Sequence, residues 1–129
     1  LQSRTKGDVD FDRDWADYKN GFGNISGDFW LGNDAIHNLT STVSEDLLHQ
    51  EKGKFGLQYA TKKTLCKRFV FFSYRLRLGS YSGVTGKSTN EDGLSYLNNQ
   101  PFTTKDRDND SDLGNCAVLK GEGWWYKRC

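Results

Sequence analysis

The sequence predicts an irregular α+β domain, and three observations carry that reading. Phe11, Trp15, Tyr18 and Phe22 recur at the spacing of one helical face. Tyr74, Leu76 and Leu78 alternate with Arg75 and Arg77, the period of a strand with one buried side. Around such segments lie 14 glycines and many polar turns, with eight Phe, six Tyr, four Trp and no Met, so the core is expected to be built from rings.

The elements follow in chain order. Asp10 or Asp12 is placed to cap a helix within residues 8 to 22, and Gly21 and Gly23 to end it. Phe29-Trp30-Leu31, between glycines, reads as a short buried strand. A second short helix follows, capped by Asn33 or Asp34, with Ile36 and Leu39 facing inward. Residues 43 to 68 mix charges with no dominant period, and the strand signal returns from Phe69. The "LGSYSGVTG" after it is turn chemistry, and beyond Leu94 the chain is polar loop until "GEGWWYKRC". No repeat or linker divides residues 1–129, which read as one domain or part of one.

Charge narrows the partners. With 18 basic and 17 acidic residues, net +1, the chain has no electrostatic reason to bind nucleic acid or an acidic membrane surface. No stretch approaches the roughly 18 consecutive apolar residues of a membrane span, and the N-terminus lacks the succession of a signal peptide. A chain without Met that begins at Leu1 is expected to be a processed product or a fragment. Asn24-Ile25-Ser26, Asn38-Leu39-Thr40 and Asn109-Asp110-Ser111 are glycan acceptors if the chain passes through the secretory pathway.

Cys66, Cys116 and Cys129 are an odd set, leaving one thiol over after any internal pair. Pairing Cys116 with Cys129 closes a short aromatic, glycine-rich loop, worth roughly 3 kcal/mol in the chain-entropy model. The alternative is three reduced thiols in a cytosolic protein.

Between Thr103 and Cys116, Asp106, Asp108, Asp110 and Asp112 stand two apart. Alternate residues of an extended loop point to one side, so such carboxylates can converge on a hard cation. An EF-hand is excluded: counted from Asp106 its glycine and glutamate positions hold Ser111 and Ala117, and counted from Asp108 they hold Leu113 and Leu119. Calcium can still be held by two or three carboxylates with backbone carbonyls, Gly114 allowing the turn. A solvated acidic loop balanced by Lys105 and Arg107 fits the spacing equally well.

No enzyme assembles. His37 and His49 form no metal motif, Tyr81 stands where the nucleophile of "GSYSG" would be Ser, and the cysteines lack zinc spacing. Trp124, Trp125 and Tyr126 either pack a core or wall an apolar pocket for a small ligand group.

Four blocks in order carry a resemblance: "GDVDFDRDWADYKNGFGNISGDFWLGNDAIHNLT", "YRLRLGSYSG", "FTTKDRDNDSDLGNCA" and "GWWYKRC". The sequence resembles the fibrinogen C-terminal domain, or fibrinogen-related domain, lacking both ends of it. The resemblance implies short helices on a mainly antiparallel sheet with a loop-rich, calcium-binding C-terminal part. It implies a Ca2+ site with carboxylates from Asp108 and Asp110 and carbonyls from Asp112 and Gly114, Asp106 standing behind these ligands or contributing through water. It also implies the Cys116–Cys129 disulfide and a pocket for acetylated groups involving Trp125, Tyr126 and a cis Arg128–Cys129 peptide. Residues 43 to 68 depart from the family's strand and turn motifs, Cys66 has no counterpart, and Lys120 stands where acetyl-binding relatives often have an aromatic.

The resulting expectation is a secreted, non-catalytic, calcium-dependent recognition module, lectin-like in innate immunity, binding acetylated or other surface glycans and oligomerising through segments outside this chain. The alternative is an extracellular matrix or receptor-binding module that contacts glycoproteins, and a further one is a truncated, non-functional fragment.

Overall fold

A computed structural model of the chain describes residues 1–42, 46–53, 56–64, 67–69, 72–82 and 95–129. Cys66, where the sequence leaves an odd thiol, lies outside the described residues. The elements run β1 (Gln2–Ser3), α1 (Trp15–Asn20), β2 (Phe22–Gly23), β3 (Phe29–Trp30), α2 (Asn33–Thr42), β4 (Asp46–Gly53), β5 (Gly56–Thr64), β6 (Lys67–Phe69), β7 (Phe72–Arg75), β8 (Leu78–Ser82), a 3-10 turn at Ser95–Leu97, and α3 (Cys116–Lys120). The strands form sheets of order β1-β3-β2, β4-β5-β8 and β6-β7, every pairing antiparallel. The architecture is the expected α+β one.

The first helix is shorter than its aromatic spacing predicts. Asp10 does not cap it; its carboxylate instead accepts the Asp12 N–H at 2.9 Å, a local turn that competes with helix, and α1 begins only after Asp14. Gly21 ends it at φ 93°, its N–H bonded to the Asp17 carbonyl. Phe11 therefore precedes the helix and Phe22 follows it on β2, yet both still meet across the core, with ring centroids 5.1 Å apart. The four rings share a core without sharing a helix.

The β2–β3 hairpin closes tightly because Gly23, at φ +83°, brings its backbone so near that a Cβ would lie 2.2 Å from the Asp28 carbonyl oxygen. In α2 the buried stripe is Asn33, Ile36 and Thr40, and Leu39 is 51% exposed rather than inward. Thr40 holds that buried place because its hydroxyl donates to the Ile36 carbonyl at 2.8 Å, satisfying its only polar group inside the helix.

Residues 43 to 68, without a readable period, contain β4 and β5, paired from Asp46↔Lys63 to Gly53↔Gly56. The first part of the stretch expected as turn chemistry, Leu78–Ser82, is instead β8, which pairs with β5 through Thr61↔Ser82 and Thr64↔Leu78, and the rest of it lies outside the described residues. The burial alternation of Tyr74 and Leu76 against Arg75 and Arg77 holds, but the strand stops at Arg75. Leu76 then exchanges its backbone hydrogen bonds with Gln100 and Asn99.

The core is Phe11, Tyr18, Trp30, Ile36, Tyr74, Leu76, Phe102 and Trp125. Phe102 sits at its centre, with ring centroids 5.2 Å from Tyr18 and 5.0 Å from Trp125. Three of the buried rings place their polar tips on main-chain acceptors: the Trp30 indole N–H donates to the Tyr18 carbonyl, the Trp125 indole N–H to the Tyr74 carbonyl, and the Tyr18 hydroxyl to the Phe11 carbonyl. Burial pushes the Tyr18 phenol well above its ordinary pKa. Among the described residues no helix is long and apolar enough to cross a membrane.

The N-terminal segment is clamped to this core by Asp28. Its buried carboxylate accepts the N–H groups of Thr5, Lys6, Gly7 and Asp8 and the Thr5 hydroxyl. Consecutive main-chain donors of this kind form an anion-binding nest, here filled by the protein's own side chain.

Candidate functional site

The acidic loop grows out of the centre of the core. Phe102, Thr103 and Thr104 are completely buried, and Thr103 exchanges both backbone hydrogen bonds with Trp124, at 2.9 and 3.0 Å. Thr104 pairs in the same way with Arg107, so the chain reverses at once and Asp108 emerges into solvent.

Two asparagines brace the loop from inside. Asn109 donates through Nδ2 to the Phe102 carbonyl at 2.9 Å, and Asn115 donates through Nδ2 to the Thr104 carbonyl at 3.0 Å. With its other end, Asn115 accepts the N–H groups of Ala117 and Val118, capping α3. That helix and cap lie in a stretch expected to be polar loop; an Asn before Cys116-Ala117-Val118 was the available signal.

The four aspartates take different partners. Asp106 accepts the Trp15 N–H at 2.8 Å and the Thr104 hydroxyl at 2.7 Å through one oxygen. That oxygen is committed to α1 and to Thr104. Burial alone would raise the pKa of Asp106, but these two hydrogen bonds, with one from its own N–H and the Lys105 charge, together hold it below the usual value. Asp108 accepts the Asp110 N–H at 3.3 Å, and its other oxygen accepts no hydrogen bond among the described residues. Asp110 accepts the Asp112 N–H at 2.9 Å and the Cys116 N–H at 3.0 Å. Asp112 accepts the N–H groups of Cys129 and Leu113, which lower its pKa in that order.

No trio of these carboxylates is drawn together. Among the described residues, the acidic, His or Cys group whose ligand atoms lie within 4.8 Å of one another is Asp112, Cys116 and Cys129. It is not a thiolate centre, because Cys116 and Cys129 form a disulfide with Cα atoms 5.6 Å apart. A hard cation remains chemically compatible with the outer loop. Asp108 and Asp110 offer carboxylates, and the carbonyls of Asp112 and Gly114 accept no hydrogen bond among the described residues. All four donors are oxygen, as calcium requires.

Trp125 and Tyr126 lie on the inner side of this region. Both are buried, Trp125 bonded to Tyr74 and the Tyr126 hydroxyl donating to the Glu122 carbonyl at 2.9 Å. Arg128 and Cys129 are exposed. Among the described residues no peptide bond is cis, which corrects the expectation for Arg128–Cys129. Without proline a cis bond costs about 2.5–4 kcal/mol, and the trans form already gives the Cys129 N–H an acceptor in Asp112 at 3.0 Å. The sequon asparagines divide as well: Asn24 and Asn38 are exposed, whereas Asn109 is half-buried.

An aromatic core, antiparallel sheets and an acidic loop followed by a disulfide-closed tryptophan segment define a fibrinogen-like globe. Residues 1–129 match the family described as fibrinogen beta and gamma chains, C-terminal globular domain, and the chain belongs to that family. It is 46% identical over 129 residues to angiopoietin-related protein 7 of Mus musculus, covering all of this chain and 37% of that protein. To tenascin-R of Homo sapiens it is 41% identical over 129 residues, covering all of this chain and 9% of that protein. Its fold superposes on the fibrinogen-like globe domain of human ANGPTL2 with a TM-score of 0.86 and 38% identity, covering 98% of this chain and 56% of that one. On the lamprey fibrin D-dimer complexed with the peptide ligand Gly-His-Arg-Pro-amide the TM-score is 0.82 with 30% identity, covering 98% of this chain and 44% of that one.

Proposed function

We propose that this chain is part of an extracellular, non-catalytic protein-recognition module of the matrix or receptor-binding type, with its acidic loop ordered by calcium. The observation that carries the choice of protein over sugar is the placement of Trp125 and Tyr126. The rings that an acetyl pocket would use are buried, and their polar tips are bonded to main-chain carbonyls. Leu113, Val118 and Leu119, by contrast, stand exposed on the loop and on α3, where apolar side chains suit protein contact.

The relatives support the same direction. The chain matches angiopoietin-related and tenascin proteins along its whole length, and a solved relative is held in complex with a peptide. A disulfide and sequon-bearing surface suit a secreted setting. Calcium would be held by the carboxylates of Asp108 and Asp110 and the carbonyls of Asp112 and Gly114. Bound there it would neutralise the loop and fix the bent path from Asp108 to Cys116, which the disulfide ties to the segment carrying the tryptophans.

The test is binding of the full protein to matrix or cell-surface preparations, with and without calcium, after protease treatment, and against free N-acetylated sugar. Binding that needs calcium, disappears with protease and ignores sugar is the expected result. Competition by the sugar would replace this reading with a lectin-like one.

A further inference from the structure

The sequence carries three Asn-x-Ser/Thr triplets, and the fold treats them differently. Asn24 lies at the exposed tip of the β2–β3 hairpin, followed by Ile25 at 76% exposure and an exposed Ser26. Its Oδ1 accepts the Ser26 N–H at 2.9 Å, which fixes the amide; among the described residues its Nδ2 donates to nothing. Asn38 lies in the middle of α2, and the hydroxyl its triplet depends on, that of Thr40, is buried and donates to the Ile36 carbonyl at 2.8 Å. Asn109 uses Nδ2, the atom that would carry a sugar, to hold the carbonyls of Phe102 at 2.9 Å and Arg107 at 3.5 Å.

We infer that Asn24 carries an N-linked oligosaccharide and that Asn109 does not. The inference rests on the extracellular reading above, since the donor exists only in the secretory pathway. The co-reactant is an oligosaccharide linked through a pyrophosphate to a lipid. A bond forms between Asn24 Nδ2 and the anomeric carbon of the first sugar, while the bond from that carbon to the pyrophosphate oxygen breaks. The lipid pyrophosphate leaves with the electron pair, Nδ2 gives up one proton to a base of the transferase, and nothing is oxidised or reduced.

Transfer precedes complete folding, so the fold acts as a selector of which modified chains survive. On Asn109 a sugar would replace one of the two hydrogens that point at main-chain carbonyls, and it would enter the loop beneath Asp108. A chain so modified loses the brace that seats the acidic loop on Phe102. On Asn24 the sugar leaves every hairpin hydrogen bond in place, including Asn24 N–H to Asp28 and Gly27 N–H to Asn24. There it would also shield Ile25, a large apolar side chain at a solvent-facing tip.

The experiment is peptide mass spectrometry of the full protein secreted by animal cells, after enzymatic deglycosylation in heavy-oxygen water, which converts each occupied Asn to labelled Asp. The expected result is label at Asn24 and none at Asn109, with loss of the Asn24 label and a matching decrease in the glycan-dependent gel shift in both Asn24→Gln and Ser26→Ala. Secreted protein with an intact Cys116–Cys129 disulfide and unlabelled Asn24, or with label at Asn109, overturns the inference and leaves the extracellular reading standing. Protein retained in the cytosol with reduced Cys116 and Cys129 overturns both.

Discussion

Trp15 and Asp106, 91 residues apart in sequence, are joined by a hydrogen bond from the Trp15 N–H to Asp106 Oδ1 at 2.8 Å. Asp14, at the cap position of α1, makes no side-chain cap bond, so the helix is capped from the acidic loop instead. The Arg107 guanidinium lies 4.5 Å over the Trp15 ring beside it, a second link across the same junction. Asp106→Ala is therefore expected to lower unfolding free energy by about 0.5–2 kcal/mol, the range for a lost N-terminal cap. Denaturant titration should show the same loss in EDTA and in calcium. A loss confined to calcium would make Asp106 a participant in ion binding and not a cap.

Asp108 and Asp110 are expected to behave in the opposite way. Ligand at about 100 times its dissociation constant adds about 2.7 kcal/mol to a folded state that alone binds it. Thermal melts of the oxidised protein should thus rise with calcium, and the rise should vanish in Asp108→Ala/Asp110→Ala. Asp112→Asn is expected to keep most of the calcium increment, because its proposed donor is the main-chain carbonyl. It should lose stability in EDTA as well, since its carboxylate accepts the N–H groups of Cys129 and Leu113. A cooperative melt indifferent to calcium in the parent protein would sink the ion assignment.

The acid limb of stability should be steep, and Asp28 should supply much of it. Its carboxyl is held well below the carboxylate range, first by the Lys6 N–H and then by the Thr5 N–H. Asp106 and Asp112 are also lowered. A carboxylate with a depressed folded pKa binds protons more readily when unfolded. Its contribution is complete above the unfolded value of about 4 and is lost as pH falls through the folded value. Melts between neutral pH and about pH 2 should therefore fall steadily below about pH 4. Asp28→Asn should be less stable at neutral pH, because an amide nitrogen would face the N–H groups of the nest, and its acid limb should be shallower. Parallel curves for the two proteins would show that the nest does not depend on charge.

What the sequence revealed and what it hid divide along the range of the interactions. Phe29-Trp30, the ring spacing around Tyr18 and the Cys116–Cys129 pair are local or compositional signals, and each has its place in the fold. The strands β4 and β5 lack alternation, and their register is set by pairing with each other and with β8, which no short window contains. The acidic loop was visible as a cluster, but not the division of labour within it. Asp106 serves a helix far away in sequence and Asp112 serves Cys129, partners that spacing does not encode. Asp28 gave no sign at all, since its donors lie 20 to 23 residues upstream.

The junction between the tryptophan segment and α1 supplies the last prediction. The Gly123 N–H donates to the Tyr18 hydroxyl at 2.9 Å, and a Cβ on Gly123 would lie 2.7 Å from Tyr18 Cε2. That ring is fully buried and its hydroxyl is also bonded to Phe11, so it has no free direction in which to move. Gly123→Ala should therefore cost about 1–3 kcal/mol as overpacking. Tyr18→Phe should cost a similar amount, about 1–3 kcal/mol, for a different reason: it leaves the buried Gly123 N–H without a partner, while the Phe11 carbonyl keeps only the Arg13 N–H. A mutant cycle separates the two causes. With Phe at 18 the ring remains and the penalty of Gly123→Ala should persist, whereas with Leu at 18 the clash is relieved and the penalty should shrink. Equal penalties in both backgrounds, read from denaturant midpoints, would mean that the glycine is required by its own backbone and not by the approach of Tyr18.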